Sequence, residues 1–486
     1  MKRTLLVFLL VNLILSACAP VSAPTPTPAP SATPLPTTTA TPTSTPTATP
    51  TATPTPIPTI QVGNLSLPDP RVTNPELFDL RNPNAPIPQF VNALRMAGIE
   101  ITAEQVAQGI TYEALKDKEG NPFVVAVYNL NPSLLPQEYR ALAGPIPLMI
   151  AEKGEKGWGW NEPINRYYAD ANNISFGTLV KGALLNNPKY TKVFGNQFNT
   201  ALIAWATDWM ILEKTKGVLD FSYADRYINF AQRNKMQIVA QALIYGGAIP
   251  DWLKNGKFTT QEYLEMMQTH IKTVMDRYRG KIPVWVVVNE AHWDATYDFW
   301  KSKVGDNYIE IAFQTAREAD PSAQLIYSDF FNETPSLPKT KFNQQIVTSL
   351  KSKGLIDGIG LHMRINAAKP PKKEDLVTTM RSYGVPVYIT ELDVDLSDVH
   401  GTNQERYLLQ ASIYKTIMEA ALESGVCKSF IVFGIGDQYS WLETDLKKPN
   451  ADATMYDDNL DPKPAFYAVS SALLEHLREK IRFVSP

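Results

Sequence analysis

The sequence is poor in the residues that build disulfide frameworks and metal centres. Its 486 residues include only two cysteines, Cys18 and Cys427, so neither a disulfide network nor a thiolate metal site is expected. Five histidines are scattered without the spacing of a zinc motif. The formal net charge of −3 gives no electrostatic reason to expect nucleic acid as a partner. These shortages favour a metal-free acid/base enzyme, or a protein without catalytic activity. We expect the chain to be a monomer.

Residues 1–18 have the pattern of an export signal. Lys2-Arg3 is followed by an apolar stretch, Leu5–Leu15, which is short for a membrane span. Leu15-Ser16-Ala17-Cys18 resembles a bacterial lipobox, and that resemblance implies cleavage before Cys18 and lipidation of its thiol. An ordinary secretory signal is the alternative. We therefore expect an extracytoplasmic chain that is attached to the membrane through an N-terminal lipid anchor.

Residues 19–60 consist almost entirely of proline, threonine, alanine and serine. Such a stretch lacks the apolar surface that would offset the entropy cost of ordering, so it predicts a disordered linker. Residues 61–165 predict a small α+β extension, with a helix at Gln89–Ala97 and a hairpin of Thr111–Leu115 with Pro122–Tyr128. This region is either an accessory unit or a structured extension packed on the domain that follows.

Residues 166–486 alternate short runs of branched and aromatic residues with longer amphipathic segments. Eight strands alternating with helices predict an α/β fold, a (β/α)8 TIM barrel, in which functional groups come from the C-terminal ends of the strands. A doubly wound open sheet is the alternative, but no glycine-rich phosphate loop follows the first strand. The predicted strands are Ile174–Val180, Asn199–Trp205, Gln237–Tyr245, Pro283–Glu290, Ala323–Asp329, Asp357–Met363, Val385–Glu391 and Lys428–Ile435. The predicted helices are Tyr223–Asn234, Thr260–Tyr278, Tyr308–Ala319, Lys341–Lys353, Glu374–Tyr383, Gln404–Ser424 and Pro464–Lys480.

Two of these strands, the fourth and the seventh, end in a glutamate, Glu290 and Glu391. A pair of carboxyl groups about 5–5.5 Å apart is the equipment of a retaining glycosidase, in which one is the acid/base and the other the nucleophile. Glu290 suits the acid role, because the dry valine run before it is expected to raise its pKa and Asn289 can bind a sugar hydroxyl. Glu391 then suits the nucleophile role.

Several ordered stretches across about residues 165–482 resemble glycoside hydrolase family 10, the endo-β-1,4-xylanases. Trp285–Glu290 resembles the acid/base motif, with Val286 where aspartate is usual. Ile389–Asp393 is nearly the nucleophile motif, and Phe433–Trp441 resembles the eighth strand and its aromatic loop. The resemblance implies a retaining hydrolase of xylan or a related polysaccharide, with Glu290 as acid/base, a covalent intermediate on Glu391, and no cofactor.

The sugar-binding positions depart from the family pattern. Ala204, Asp208, Ala242 and Gly246 stand at positions where the resemblance implies sugar-binding groups. Arg364 replaces the histidine that orients the nucleophile, and it either holds Glu391 ionised for attack or traps it in an ion pair. The candidate substrate-binding residues are Asn289, Tyr245, Trp441, His362 and Arg364.

Two rival functions follow from these departures. One is a non-catalytic surface protein that binds glycans through a degenerate barrel. The other is a glycosidase of the same mechanism that acts on a different substrate.

Overall fold

The computed structural model describes residues 57–117, 119–155, 157–162, 165–292 and 298–484. The predicted signal with Cys18, most of the predicted linker, and Trp293 lie outside these residues. From Thr59 onward the chain forms one compact unit, and the first strand starts at that residue. Among the residues described, none of the helices has both the length and the apolar character needed to cross a bilayer.

The residues before the barrel form a two-stranded hairpin and a four-stranded antiparallel sheet. The predicted hairpin is confirmed, because β3 pairs with β4 along its whole length. Two further strands, β5 and β6, extend the same sheet. Neither of these two strands was predicted from the sequence. β5 contains Pro145 and Pro147, and prolines argue against a strand that lies between two others. The elements are β1 Thr59–Val62, β2 Leu65–Pro68, α1 Pro70–Thr73, α2 Pro86–Met96, α3 Ala103–Gln108, β3 Ile110–Lys116, β4 Pro122–Leu130, β5 Gly144–Gly154 and β6 Gly157–Asn161, with 3-10 turns at Pro75–Leu77, Pro132–Leu134 and Gln137–Leu142.

Eight parallel strands, β7 to β14, close into a barrel in chain order, with β14 pairing back onto β7. This confirms the predicted (β/α)8 TIM barrel with an N-terminal α+β extension. The strands are apolar on both faces because helices cover the outside and side chains fill the inside. Their bounds are β7 Ser175–Leu179, β8 Thr200–Ile203, β9 Gln237–Tyr245, β10 Val284–Asn289, β11 Gln324–Phe330, β12 Gly358–Asn366, β13 Val387–Asp395 and β14 Cys427–Val432.

The helix Thr260–Tyr278 begins and ends at residues that capping chemistry favours. Thr259 caps the helix Thr260–Tyr278, and its hydroxyl accepts from the N–H of Glu262 while Glu262 bonds back to the cap. Gly280, just past its end, has a φ of +72°. The helices are α4 Asn165–Asn172, α5 Pro188–Gln197, α6 Trp209–Leu212, α7 Ser222–Arg233, α8 Asp251–Lys254, α9 Thr260–Tyr278, α10 Phe299–Val304, α11 Tyr308–Ala319, α12 Pro338–Ser352, α13 Lys373–Ser382, α14 Asn403–Ser424, α15 Trp441–Thr444 and α16 Pro464–Val484, with 3-10 turns at Gly182–Leu184 and Asp437–Tyr439.

The N-terminal extension packs against the last helix of the barrel, α16. The ring of Phe90 on α2 meets Tyr467 on α16 edge to face at 4.9 Å between centroids. Arg478 on the same helix pairs with Glu113 on β3 at 2.7 Å. The extension is therefore built onto the barrel through both apolar and ionic contacts.

This packing predicts that the extension and the barrel unfold together. Phe90 is fully buried, so we expect Phe90→Ala to lower the free energy of unfolding by about 3–5 kcal/mol, the usual cost of deleting a buried ring. The measurement is chemical denaturation followed by tryptophan fluorescence. Leu134→Ala, at a residue that is 40% exposed, is the matched control and should change it by less than about 0.5 kcal/mol. A Phe90→Ala protein whose barrel transition is unmoved would contradict the coupling.

Candidate active site

Glu290 and Glu391 come from the fourth and seventh strands of the barrel. Glu290 is the first residue after β10; its backbone is left-handed with φ +52°, and its N–H donates to the carbonyl of Ser328 at 2.8 Å. Such a conformation costs a non-glycine residue of the order of 1–3 kcal/mol and is concentrated at functional sites. Glu391 was expected to end its strand, but β13 continues to Asp395 because its pairing with β12 continues that far.

One imidazole contacts both carboxylates. His362 lies on β12 directly across from Glu391 in the strand register. Its Nδ1 is 3.0 Å from Glu290 Oε1, and its Nε2 is 3.2 Å from Glu391 Oε1 and 2.9 Å from the hydroxyl of Ser328. The ring is 1% exposed. Burial holds the pKa of His362 below its ordinary value even though Glu290 works to raise it, so at neutral pH the ring is neutral and positions the carboxylates.

Glu290 is held as a carboxylate by its hydrogen-bond donors. Burial works to raise the pKa of Glu290, but the hydrogen bonds from His362 and Tyr245 outweigh it and leave the pKa below its ordinary value. The Tyr245 hydroxyl donates to Glu290 Oε2 at 2.8 Å. The expectation of a raised pKa was therefore wrong. The valine run does bury Glu290, but the donors come from β9 and β12, which are distant in sequence.

Both oxygens of Glu391 are bonded to protein groups. Gln241 on β9 donates its Nε2 to Oε1, and Arg364 on β12 donates Nη2 to Oε2. Glu391 itself is 3% exposed. Sequence reasoning missed Gln241, although it is the only polar residue in the run Ile238–Ile244. A lone amide in an otherwise apolar barrel strand was the available signal, because a buried polar group needs a partner.

Arg364 joins Glu391 to a second carboxylate. Its Nη1 donates to Asp393 Oδ2, and Trp441 Nε1 donates to the same oxygen at 2.7 Å. The guanidinium lies 4.3 Å from the ring of Phe433 and 4.7 Å from that of Trp441. Burial raises the pKa of Asp393 against the opposing influence of Arg364 and Trp441. Arg364 and Trp441 therefore serve the carboxylates as well as lining the site.

The other predicted binding residues differ in what they offer a ligand. Asn289 ends β10, and its Oδ1 is buried without a hydrogen-bond partner in the described structure, so it has an acceptor to offer. Asp208 accepts from the N–H of Ala242 at 3.3 Å, and burial together with the charge of Glu290 raises its pKa to about 7. Ala204 and Ala242 belong to the apolar cluster inside the barrel.

Two tryptophans that follow β8, Trp205 and Trp209, differ in exposure. Trp209 is buried, stacked on His270 at 4.0 Å and on Trp300 at 5.5 Å. Trp205, in contrast, is 42% exposed and meets Phe433 edge to face at 5.9 Å. Phe433 also packs on Arg364, so it connects the exposed ring of Trp205 to the arginine that bonds to Glu391.

Within the described ranges, histidine, cysteine, aspartate and glutamate side chains do not gather in groups of three or more that could hold a metal ion. The absence of a metal and of any cofactor stays a prediction.

The comparisons with known proteins agree with the fold. The sequence profile described as Glycosyl hydrolase family 10 matches residues 164–472. This chain belongs to glycosyl hydrolase family 10. It is therefore a glycoside hydrolase, and the extension before residue 164 lies outside the matched part.

Two xylanases and one solved xylanase structure match between 59% and 69% of this chain. Endo-1,4-beta-xylanase B of Thermotoga neapolitana is 31% identical over 347 residues, which is 69% of this chain and 99% of that protein. A beta-1,4-xylanase of Dictyoglomus thermophilum is 31% identical over 302 residues, 59% of this chain and 85% of that protein. Native xylanase 10B from Thermotoga maritima has a similar structure, with a TM-score of 0.62 and 29% identity, over 65% of this chain and 99% of that one.

The hydrogen bond from Tyr245 to Glu290 predicts a change in the pH dependence of hydrolysis. Tyr245→Phe removes a donor that lowers the pKa of Glu290, so that pKa should rise. If Glu290 must be protonated to act, the basic limb of kcat/KM moves to higher pH. The measurement is a pH profile of kcat/KM on an aryl glycoside. Tyr388→Phe, beside Gly358 at the opposite end of the barrel, is the control; equal profiles for both variants would contradict the assignment.

Proposed function

We propose that this family 10 enzyme is a retaining, endo-acting β-1,4-xylanase. The observation that carries the proposal is the pair of glutamates, Glu290 and Glu391, each with a carboxylate oxygen within 3.2 Å of a ring nitrogen of one buried histidine, His362. One of the two carboxyl groups can protonate the leaving oxygen while the other attacks the sugar. The names of the relatives support xylan as the substrate.

In the first step, a carboxylate oxygen of Glu391 attacks the anomeric carbon while the bond to the leaving sugar breaks. Glu290, in its protonated form, gives its proton to the leaving oxygen. The product is an ester between Glu391 and the retained sugar. In the second step Glu290 takes a proton from water, the water oxygen attacks the anomeric carbon, and Glu391 departs as a carboxylate.

The lowered pKa of Glu290 suits its role as the base of the second step better than its role as the acid of the first. Its lowered pKa means that only a fraction of the resting enzyme carries the needed proton at neutral pH, so kcat/KM should fall as pH rises through that pKa. Once Glu391 is esterified, its negative charge is gone and no longer favours the protonated form of Glu290. The second step therefore has a ready base.

The sugar-binding positions favour a second candidate, a glycosidase of the same mechanism that acts on a different β-linked glycan. Ala204 and Ala242 present methyl groups among apolar neighbours, and Asp208 is a buried carboxyl with a pKa near 7. Exposed Trp205 still provides a ring face for a sugar. These features support carbohydrate recognition, and hydrolysis of a substrate panel identifies which polysaccharide is cleaved.

The test is hydrolysis of a panel of xylan, mixed-linkage glucan and aryl glycosides, with the configuration of the first product followed by NMR. We expect release of reducing sugar from xylan with retained configuration. Glu391→Ala should lose activity by at least about 10³-fold and regain it with azide on an aryl glycoside, because the small anion replaces the nucleophile.

Glu152→Ala is the matched control, since Glu152 lies on β5 in the extension and its loss should leave the rate unchanged. Turnover of another glycan alone would select the second candidate. Binding without turnover on every glycan, unaffected by Glu290→Ala, would select the non-catalytic rival.

We also propose that the mature chain is a lipoprotein anchored through Cys18, with the proline- and threonine-rich stretch as its tether. The sequence of residues 15–18 supports this, as does the extended tether expected from its composition. The anchor would hold the barrel on the outer side of the membrane, within reach of polysaccharide.

Expression in a bacterium fed with radiolabelled palmitate tests the anchor. The wild-type chain should carry label and sediment with membranes, whereas Cys18→Ser should lose both properties, because the thiol is the acylation site. Cys427→Ser is the control, since Cys427 is buried and its loss should leave labelling intact. An exported wild-type chain without label would indicate an ordinary secretory signal.

A further inference from the structure

Both oxygens of the nucleophile assigned above accept hydrogen bonds from protein groups in this structure. Oε1 of Glu391 accepts from Gln241 and lies 3.2 Å from His362 Nε2, while Oε2 accepts from Arg364. Gln241 and His362 are both buried, and they sit on strands of the barrel wall. Arg364 is different because its side chain is 21% exposed. The oxygen that can most readily be freed is therefore Oε2, by movement of Arg364.

Asp393 offers Arg364 a second place to bind. Its Oδ2 accepts from Arg364 and from Trp441, but its Oδ1 is buried without a hydrogen-bond partner in the described structure. An unpaired buried acceptor costs about 1–3 kcal/mol, and a guanidinium can bind both oxygens of one carboxylate in parallel. The N–H that leaves Glu391 thus has an acceptor next to it.

The aromatic rings on Arg364 fit such a small movement. The guanidinium carbon is 4.3 Å from the ring of Phe433 and 4.7 Å from that of Trp441. Attraction between a delocalised cation and a ring face depends little on how the cation turns in its own plane. The rings can hold the guanidinium while one of its N–H groups changes its partner.

We propose that Arg364 is a positioning residue that locks Glu391 in the resting enzyme, and that it must shift onto Asp393 before the nucleophile can attack. The proposal rests on the nucleophile role of Glu391. The lock retards formation of the ester, in which an electron pair of Oε2 makes the new bond to the anomeric carbon and the leaving oxygen takes the proton of Glu290. It favours the second step, because the returning N–H stabilises the carboxylate that the ester releases.

Arg364→Met tests the lock, since it removes the N–H groups and the charge but keeps an unbranched apolar side chain against the rings. Ester formation should become faster, so that a dinitrophenyl β-xylobioside gives a burst of dinitrophenol that the wild type lacks. The acidic limb of kcat/KM should also move to higher pH, because a neighbouring cation no longer favours the charged carboxylate. Arg364→Lys, which keeps the charge, is the control and should leave that limb in place. Among the described residues, the titratable groups that face this part of the site include Glu290, His362, Asp393, Asp208, Tyr245, Asp329, Lys339, Asp395 and Lys181.

Asp393→Asn tests the second binding place independently. It should slow ester formation about tenfold in the wild-type background and have no effect in the Arg364→Met background, because residues that act as a unit are not additive. Thermal unfolding of each variant separates these effects from loss of fold. Additive effects of the two substitutions would overturn the proposal.

The two proposals fail in different ways. A fluorinated xylobioside that traps the ester should label Glu391 in the wild type, as located by mass spectrometry; no label and no turnover would refute the proposed function. Labelling and turnover in the wild type, with no burst and an unmoved acidic limb in Arg364→Met, would refute the lock alone. A slower ester formation in Arg364→Met would also refute it.

Discussion

The pairing of β12 with β13 sets the geometry on which the rest of the site depends. Its register places His362 opposite Glu391 and Arg364 opposite Asp393, and a spacing of two residues sends all four side chains to the same side of the sheet. His362 and Arg364 on one strand thus face Glu391 and Asp393 on its neighbour. The backbone register therefore sets the contacts of these two carboxylates, whereas Glu290 is reached from β9 and β12.

Burial inside the barrel gives each carboxyl group a different charge state according to its donors. Asp208 has one backbone donor and a pKa of about 7, whereas Glu290 has two side-chain donors and a pKa below its ordinary value. Desolvation is common to both, so the number and kind of partners decide the outcome. This balance explains how one dry cavity holds a charged glutamate and a carboxyl that is half protonated near neutral pH.

The barrel was predictable from sequence because its elements follow local rules. Strand β9 and helix α9 coincide with their predicted bounds, since period and capping are read from neighbouring residues. The catalytic candidates followed from their positions on the fourth and seventh strands. Long-range contacts were not predictable. Gln241 bonds to Glu391 across 150 positions, and no local pattern identifies that partner. The predicted direction of the pKa of Glu290 was wrong for the same reason, because its donors His362 and Tyr245 are distant in sequence.

Helix α16, which follows the last barrel strand, contacts the extension that precedes the first. Arg478 bonds to Glu113 across 365 positions, and Tyr467 covers Phe90. The extension is synthesised before the barrel, yet α16, which covers part of its apolar surface, is synthesised after the barrel. Ribosomal synthesis therefore leaves that surface uncovered until α16 has been made, and contacts of such high sequence separation form slowly. The unit consequently completes its fold only after α16 has left the ribosome, and a chain cut before α16 would expose the apolar face that this helix covers.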